Sequence, residues 1–247
     1  MKNVVVTGLN GTLAPVLKNV LERNGLNVVG WDRNLVDVHN KDHATAFITE
    51  QSIDAVFHLA MGDAKWAENL AKITKEHSMP MVFTSTAMVF DQEQNGPYCI
   101  EQNRNAKDDY GQGKIACEDM IMQYNPDAAI LRIGWQIDLA AKGNNMIYAL
   151  NQQQKEQGFI TASETWIPAT SFMQDTCSVL LQIVQNQRTG VYHFDSNAIA
   201  GLSFAGLVKR LTDKYALNWN IRTDNNYVHD QRLLESRLEI PCITKYL

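Results

Sequence analysis

Apolar positions along the chain follow two alternating rhythms. Lys2–Thr7 (KNVVVT) is an unbroken β-branched run closed by Gly8, as in a strand buried on both faces. In Thr12–Asn24 the apolar residues Leu13, Val16, Leu17, Val20 and Leu21 return at helical spacing. Pro15 falls in the first turn of that helix, where a missing N–H costs little, and Gly25 closes it. The rhythms then repeat. Strands are predicted at Leu26–Trp31, Ile53–Leu59, Pro80–Ser85 and Ala128–Ile133, and helices at His43–Gln51, Trp66–His77 and Asp108–Tyr124. Strand and helix alternate with few hairpin signals, which predicts an α/β architecture built on a doubly wound parallel sheet.

After residue 134 the pattern loosens. Asn144–Gln154 reads as a helix running into a polar stretch, Asn151–Gln157, and Ser171–Gln187 as a strongly amphipathic helix. Val191–Phe194 reads as a strand and Ser203–Tyr215 as a further helix. Residues 135–247 are therefore expected to form a small C-terminal lobe, interleaved with a first domain of residues 1–134.

Bulk composition narrows the function. The chain has 247 residues, 45% of them apolar, enough for a sizeable core. A net charge of −5 without any long Lys/Arg block argues against nucleic acid or an anionic membrane as partner. The four cysteines are scattered without a CxxC, and the six histidines form no HExxH, so reduced thiols and no bound metal are expected. No run approaches the ~18 apolar residues of a membrane span. A cytoplasmic protein is the expectation.

The first strand-to-helix turn, Thr7-Gly8-Leu9-Asn10-Gly11-Thr12-Leu13-Ala14, has chemistry of its own. A dinucleotide site needs glycine where the chain turns tightly and again where backbone approaches a pyrophosphate, then a small residue where helix meets strand. Gly8, Gly11 and Ala14 fill those roles, with the N–H groups of Thr12 and Leu13 at the positive end of the helix. With that turn, residues 1–134 read as a Rossmann-type NAD(P)-binding domain. The second strand ends at Asp32, which would accept hydrogen bonds from the adenosine ribose and favours NAD. Arg33 follows and could instead pair with the 2′-phosphate of NADP. The sequence does not separate the two cofactors.

Tyr110 and Lys114 stand four apart in DDYGQGKIACEDM, on one face of a helix. The spacing alone is common. Gly111 and Gly113 cost that helix up to ~2 kcal/mol against alanine, which a helix needing close approach by a ligand would tolerate. Thr86 ends a parallel strand, where ligands of open α/β sheets bind.

These pieces together resemble the extended short-chain dehydrogenase/reductases, most nearly the dTDP-4-dehydrorhamnose reductases and related sugar-nucleotide reductases. Gly8 to Ala14 matches the family's glycine turn, and Asp37-Val38 matches its Asp–hydrophobe pair flanking the adenine. Leu59-Ala60-Met61 matches the segment beside the cofactor. Ser85-Thr86-Ala87-Met88-Val89-Phe90 stands for the family's Ser-Thr-Asp-Tyr-Val-Phe, and Tyr110 and Lys114 follow at the expected distance. Leu131-Arg132-Ile133-Gly134-Trp135 resembles its Leu-Arg-Thr-Ser-Trp, Lys142–Met146 its Gly-Asn-Asn loop, and Gly190–Phe194 its Gly-Leu-Tyr-His strand. There are departures. Ala87 and Met88 replace an Asp-Tyr pair next to the sugar, residues 60–70 are shorter than usual, and Gly113 replaces a serine.

The resemblance implies an NAD(P)H-dependent reductase of a keto group on a nucleotide-activated deoxysugar, acting as monomer or homodimer. Thr86, Tyr110 and Lys114 would be catalytic. The cofactor would meet Gly8, Asn10, Gly11, Thr12, Leu13, Asp32, Arg33, Asp37, Val38, Leu59, Ala60, Met61, Tyr110 and Lys114, and the substrate would meet Thr86, Met88, Trp135 and Asn145. Tyrosine has an ordinary pKa near 10, and a lysine cation beside it favours the phenolate. Bringing Tyr110 near 7 would take about three units, or roughly 4 kcal/mol. Two rivals stand beside this reading: an epimerase or dehydratase of the same fold, and a non-catalytic NAD(P)-sensing regulatory protein.

Overall fold

The structure is a computed structural model that describes residues 1–140 and 142–247. The first half follows the expected order, with element ends slightly displaced: β1 (Asn3–Thr7), α1 (Ala14–Arg23), β2 (Asn27–Gly30), α2 (Lys41–Glu50), β3 (Ala55–His58), α3 (Ala64–Glu76), β4 (Met81–Thr86), α4 (Asp109–Tyr124) and β5 (Ala129–Ile133). The second half adds β6 (Trp135–Ile137), α5 (Met146–Gln157), β7 (Ile160–Ser163), β8 (Trp166–Ile167), β9 (Thr170–Phe172), α6 (Met173–Gln185), β10 (Gly190–Phe194), α7 (Phe204–Tyr215), β11 (Ile221–Asp224) and β12 (His229–Asp230).

Six strands form one parallel sheet in the order β10-β5-β4-β3-β1-β2, the α/β doubly wound arrangement that the alternation predicts. Both of its faces are covered, which is why its strands are apolar without interruption. Val4, Val6, Phe57, Val82 and Leu131 meet Leu17 and Leu21 of α1 and Leu180 and Ile183 of α6. Val5, Val56, Phe83 and Ile130 point the other way, into Ile48 of α2, Leu70 and Ile73 of α3 and Ile121 of α4. Although β10 lies beyond residue 134, it pairs with β5 in full register, from Gly190 beside Ala129 to Phe194 beside Ile133.

The lobe has its own core around Ile137, Ile147, Ile160, Leu207 and Trp219. It is laced by three two-stranded parallel pairs, β6 with β9, β7 with β11 and β8 with β12. None of these short strands was expected from the sequence. β8 and β12 have two residues each, too few for an alternation to register. No helix among the described residues is long and apolar enough to cross a membrane.

Candidate active site

The carboxyl ends of β1, β3, β4 and β5 open into a cleft of about 900 Å³, roofed by the lobe. Ligands of open α/β sheets bind at this edge, where strand order reverses.

One wall is the turn after β1. Gly8 has φ +79°, in the left-handed region, and the Gly11 amide donates to its carbonyl at 2.7 Å. A Cβ on Gly8 would stand 2.9 Å from the Ala60 Cα, so the turn packs backbone against backbone. Gly8→Ala is therefore expected to cost about 2 kcal/mol of stability, read as a lower melting temperature. Helix α1 has Leu13 at its N-cap position and no side-chain cap, which leaves its first N–H groups to the cleft that Thr12, Leu13 and Ala14 line. Thr12 Oγ1 accepts the Asn144 amide N–H at 2.9 Å, tying this turn to the lobe.

Below the turn, the Thr7 hydroxyl oxygen accepts the Leu59 and Ala60 amides, each at 3.0 Å, and meets His58 Nδ1 at 2.9 Å. This fixes the end of β3, whose Leu59, Ala60 and Met61 line the cleft. Burial, with the nearby charges of Lys114 and Arg33, lowers the pKa of His58 to about 3.

Arg33 also reaches the cleft. Its guanidinium donates to the Met61 carbonyl at 2.6 Å and lies 4.7 Å over the Trp66 ring. Asp32 does not line the cleft: its carboxylate accepts the Asn34 amide at 2.9 Å in the turn after β2. Asp37 likewise caps its own turn through the His39 amide, while Val38 packs against the core on the α2–α4 side of the sheet. Asn10 is exposed outside the cleft lining.

Thr86, Tyr110 and Lys114 come together on the opposite wall. Thr86 ends β4, and its hydroxyl accepts the Met88 amide at 3.1 Å. The Asp108 side chain starts α4 by accepting the Gly111 amide at 2.8 Å, which places Tyr110 in the first turn, where it lines the cleft together with Thr86. Tyr110 keeps 36% of its surface exposed, yet burial at its hydroxyl end, aided by Asp108 and opposed by the nearby Thr86 hydroxyl, pushes its pKa above the ordinary range.

That corrects the expectation of a lysine-lowered phenol. Lys114 points into the sheet, donating to the Thr84 carbonyl at 2.9 Å with its ammonium 4.5 Å over Phe83. Burial holds it down to about 8, against the pull of Cys117 and Glu118.

The two glycines of α4 differ as well. A Cβ on Gly111 would meet the Met88 carbonyl at 2.4 Å, so it serves the fold of the Thr86–Phe90 segment, whereas Gly113 faces open space.

The lobe supplies the roof. Trp135 and Trp166 stack at 6.3 Å, Tyr227 meets Trp166 edge-on at 5.5 Å, and all three line the cleft with Met88 and Gln231. Asn145 does not line it. The side chain is fully buried, capping α5 through the Ile147 amide at 3.1 Å and donating to the Asp138 carbonyl at 2.6 Å. Its neighbour Asn144 is the one that reaches the cleft. Sequence reasoning missed Tyr227 and Gln231, which sit in the irregular C-terminal segment where no periodicity marks them.

Behind the wall that carries Thr86 and Tyr110 lies a buried ion network. Arg132 on β5 grips Glu118 of α4 through two nitrogens, at 2.9 and 2.8 Å, and Arg104 adds a third contact at 3.0 Å. Burial alone would raise Glu118, but the hydrogen bonds and charges of the two arginines outweigh it and hold its pKa below the ordinary range.

Comparison with known proteins identifies the fold and the family. The dTDP-4-dehydrorhamnose reductase of Aggregatibacter actinomycetemcomitans is 24% identical over 217 residues, covering 78% of this chain and 73% of that protein. The crystal structure of dTDP-4-dehydrorhamnose reductase from Bacillus anthracis str. Ames in complex with NADP superposes with a TM-score of 0.84 at 18% identity, covering 99% of this chain and 96% of that one. The Bordetella bronchiseptica enzyme WbmH in complex with NAD+ gives a TM-score of 0.75 at 20% identity, covering 96% and 90%. These two structures share the fold. Residues 1–243 match the RmlD substrate binding domain family as a whole, and the chain belongs to that family.

Proposed function

We propose that this chain reduces a keto group on a nucleotide-activated deoxysugar, with NAD(P)H as reductant. The observation that carries this reading is the convergence of Thr86, Tyr110 and Lys114 in one cleft lining with the glycine turn. The cofactor fits what is there: an uncapped helix start, a glycine cradle closed against Ala60, and a cation at the end of β2. When bound, the reduced nicotinamide supplies the hydride to the carbonyl carbon.

The protein's own groups do the rest. Thr86 holds the carbonyl oxygen beside the Tyr110 hydroxyl, and Tyr110 passes its proton to that oxygen as negative charge develops on it. A phenol with a raised pKa is fully protonated at neutral pH, the state a proton donor must start from. Lys114 spends one of its three N–H donors on Thr84, leaving two for the ribose of the cofactor. Residues 135–247 supply the substrate roof through Trp135. Among the described residues lining the cleft there is no carboxylate, which a dehydratase would need near Thr86.

Cofactor preference follows from the β2 end. Arg33 lines the cleft and the Asp32 carboxylate does not, so NADPH is the preferred reductant. Arg33→Ser is expected to raise the KM for NADPH at least about tenfold, the worth of one charged hydrogen bond, and to leave that for NADH nearly unchanged. The reading as a whole is tested by following oxidation of NADPH with keto-sugar nucleotides. Binding of NADPH without turnover of any of them would point to a cofactor-sensing protein instead. Cytoplasmic placement accords with the reductant and substrate this reading requires.

A further inference from the structure

Tyr227 reaches the cleft already anchored. Its carbonyl accepts the hydroxyls of Ser163, at 2.7 Å, and Thr165, at 3.1 Å, and its ring meets Trp166 edge-on at 5.5 Å. Strand β12 pairs with β8 so that His229 stands beside Trp166, and the same short ladder therefore holds both sides of the roof. Tyr227 lines the cleft and is exposed, whereas His229 and Tyr98 are buried and do not line it. The Tyr227 hydroxyl meets Nδ1 of His229 at 3.2 Å. Nε2 of the same ring lies 2.8 Å from the Tyr98 hydroxyl, which is 3.0 Å from the Asp91 carbonyl.

This chain has three contacts and three hydrogens to fill them. The Asp91 carbonyl can only accept, so the Tyr98 hydrogen goes to it. The Tyr98 oxygen is then the acceptor for His229, whose single ring hydrogen sits on Nε2. Nδ1 is left bare, and the Tyr227 hydroxyl donates to it. No other placement puts a hydrogen in every contact, and a contact left empty between buried polar atoms costs about 1–3 kcal/mol. None of the three groups is charged near neutrality. Burial pushes Tyr98 up to about 12 and Tyr227 above its ordinary range, and it keeps His229 below its own against the pull of Asp91 and Asp230.

With its hydrogen spent on His229, the Tyr227 oxygen has only lone pairs to offer a ligand. We propose that Tyr227 is a specificity-determining residue of the cleft: its hydroxyl accepts a hydrogen bond from an O–H or N–H group of the substrate, and His229 and Tyr98 are positioning residues that keep it an acceptor. The inference rests on the reductase reading above and adds a requirement on the substrate. A sugar hydroxyl or the ring N–H of a pyrimidine base meets that requirement. An ether, a carbonyl or a methylene in the same place does not.

The test uses a keto-deoxysugar nucleotide with NADPH saturating. Tyr227→Phe is expected to raise the KM for the sugar nucleotide about tenfold, the worth of one hydrogen bond, and to leave kcat within about twofold. Analogues that lack one sugar hydroxyl, or carry a methyl on the ring nitrogen of the base, separate the two sources of the donor. With one of them the unaltered protein is expected to show the same rise, and Tyr227→Phe to add nothing further. Nitrogen NMR shifts of His229 in the unaltered protein are expected to place its ring hydrogen on Nε2. An unchanged KM in Tyr227→Phe, a rise equally large with every analogue, or a hydrogen on Nδ1 of His229 overturns this inference and leaves the reductase reading standing. No turnover of any keto-sugar nucleotide by the unaltered protein overturns both.

Discussion

Tyr110→Phe is expected to bind NADPH as tightly as the unaltered protein and to reduce keto sugars about a thousandfold more slowly. The substitution removes one oxygen from a ring that keeps its place, because α4 is fixed by the Asp108 cap and by the contact of Gly111 with the Met88 carbonyl. Losing the acid forces the developing alkoxide to draw its proton from water, and positioned acid–base groups contribute roughly a hundred- to ten-thousandfold. Thermal shift with NADPH separates binding from turnover. Turnover of the Tyr110→Phe variant at near the original rate would mean that another group supplies the proton.

The largest expected effect on stability lies behind the site. Arg132→Ala is expected to cost about 3–5 kcal/mol, because it leaves the buried Glu118 carboxylate with Arg104 alone. For a chain of this size that is a fall of about 10 °C in melting temperature. The sign with pH follows from Glu118. A carboxyl held below its ordinary range stabilises the fold above the ordinary glutamate pKa, and that contribution is lost as pH falls through the lowered value. The gap between the two proteins should therefore narrow in acid. A gap that stays constant down to the onset of acid unfolding would show that lost packing against Phe90, 5.3 Å from the guanidinium, explains the loss instead.

The sheet was legible because each of its strands is buried on both faces and so reads as an unbroken apolar run, Val4-Val5-Val6 above all. The glycine turn was legible for a different reason: φ +79° at Gly8, with backbone packed against it, leaves few other residues possible. The lobe was not. Its strands run to two, three or four residues, and Tyr227 and Gln231 reach the cleft from a segment without period. Asn145 shows the other kind of failure. A loop can match its family in sequence while one amide caps the helix and the neighbouring residue faces the cleft. Tyr110 and Lys114 were found by spacing, but spacing says nothing about where an ammonium points, and Lys114 points at Thr84.

The Thr7 hydroxyl settles a question about protons. Its oxygen already accepts two amide N–H groups, from Leu59 and Ala60, so its single hydrogen must go to His58 Nδ1. His58 is thereby fixed in the tautomer with hydrogen on Nε2, and that atom has no partner among the described residues. A ring locked in this way, with a pKa near 3, can neither take up a proton nor hand one on near neutrality. His58 is thus no proton relay for the Thr86–Tyr110 wall of the cleft.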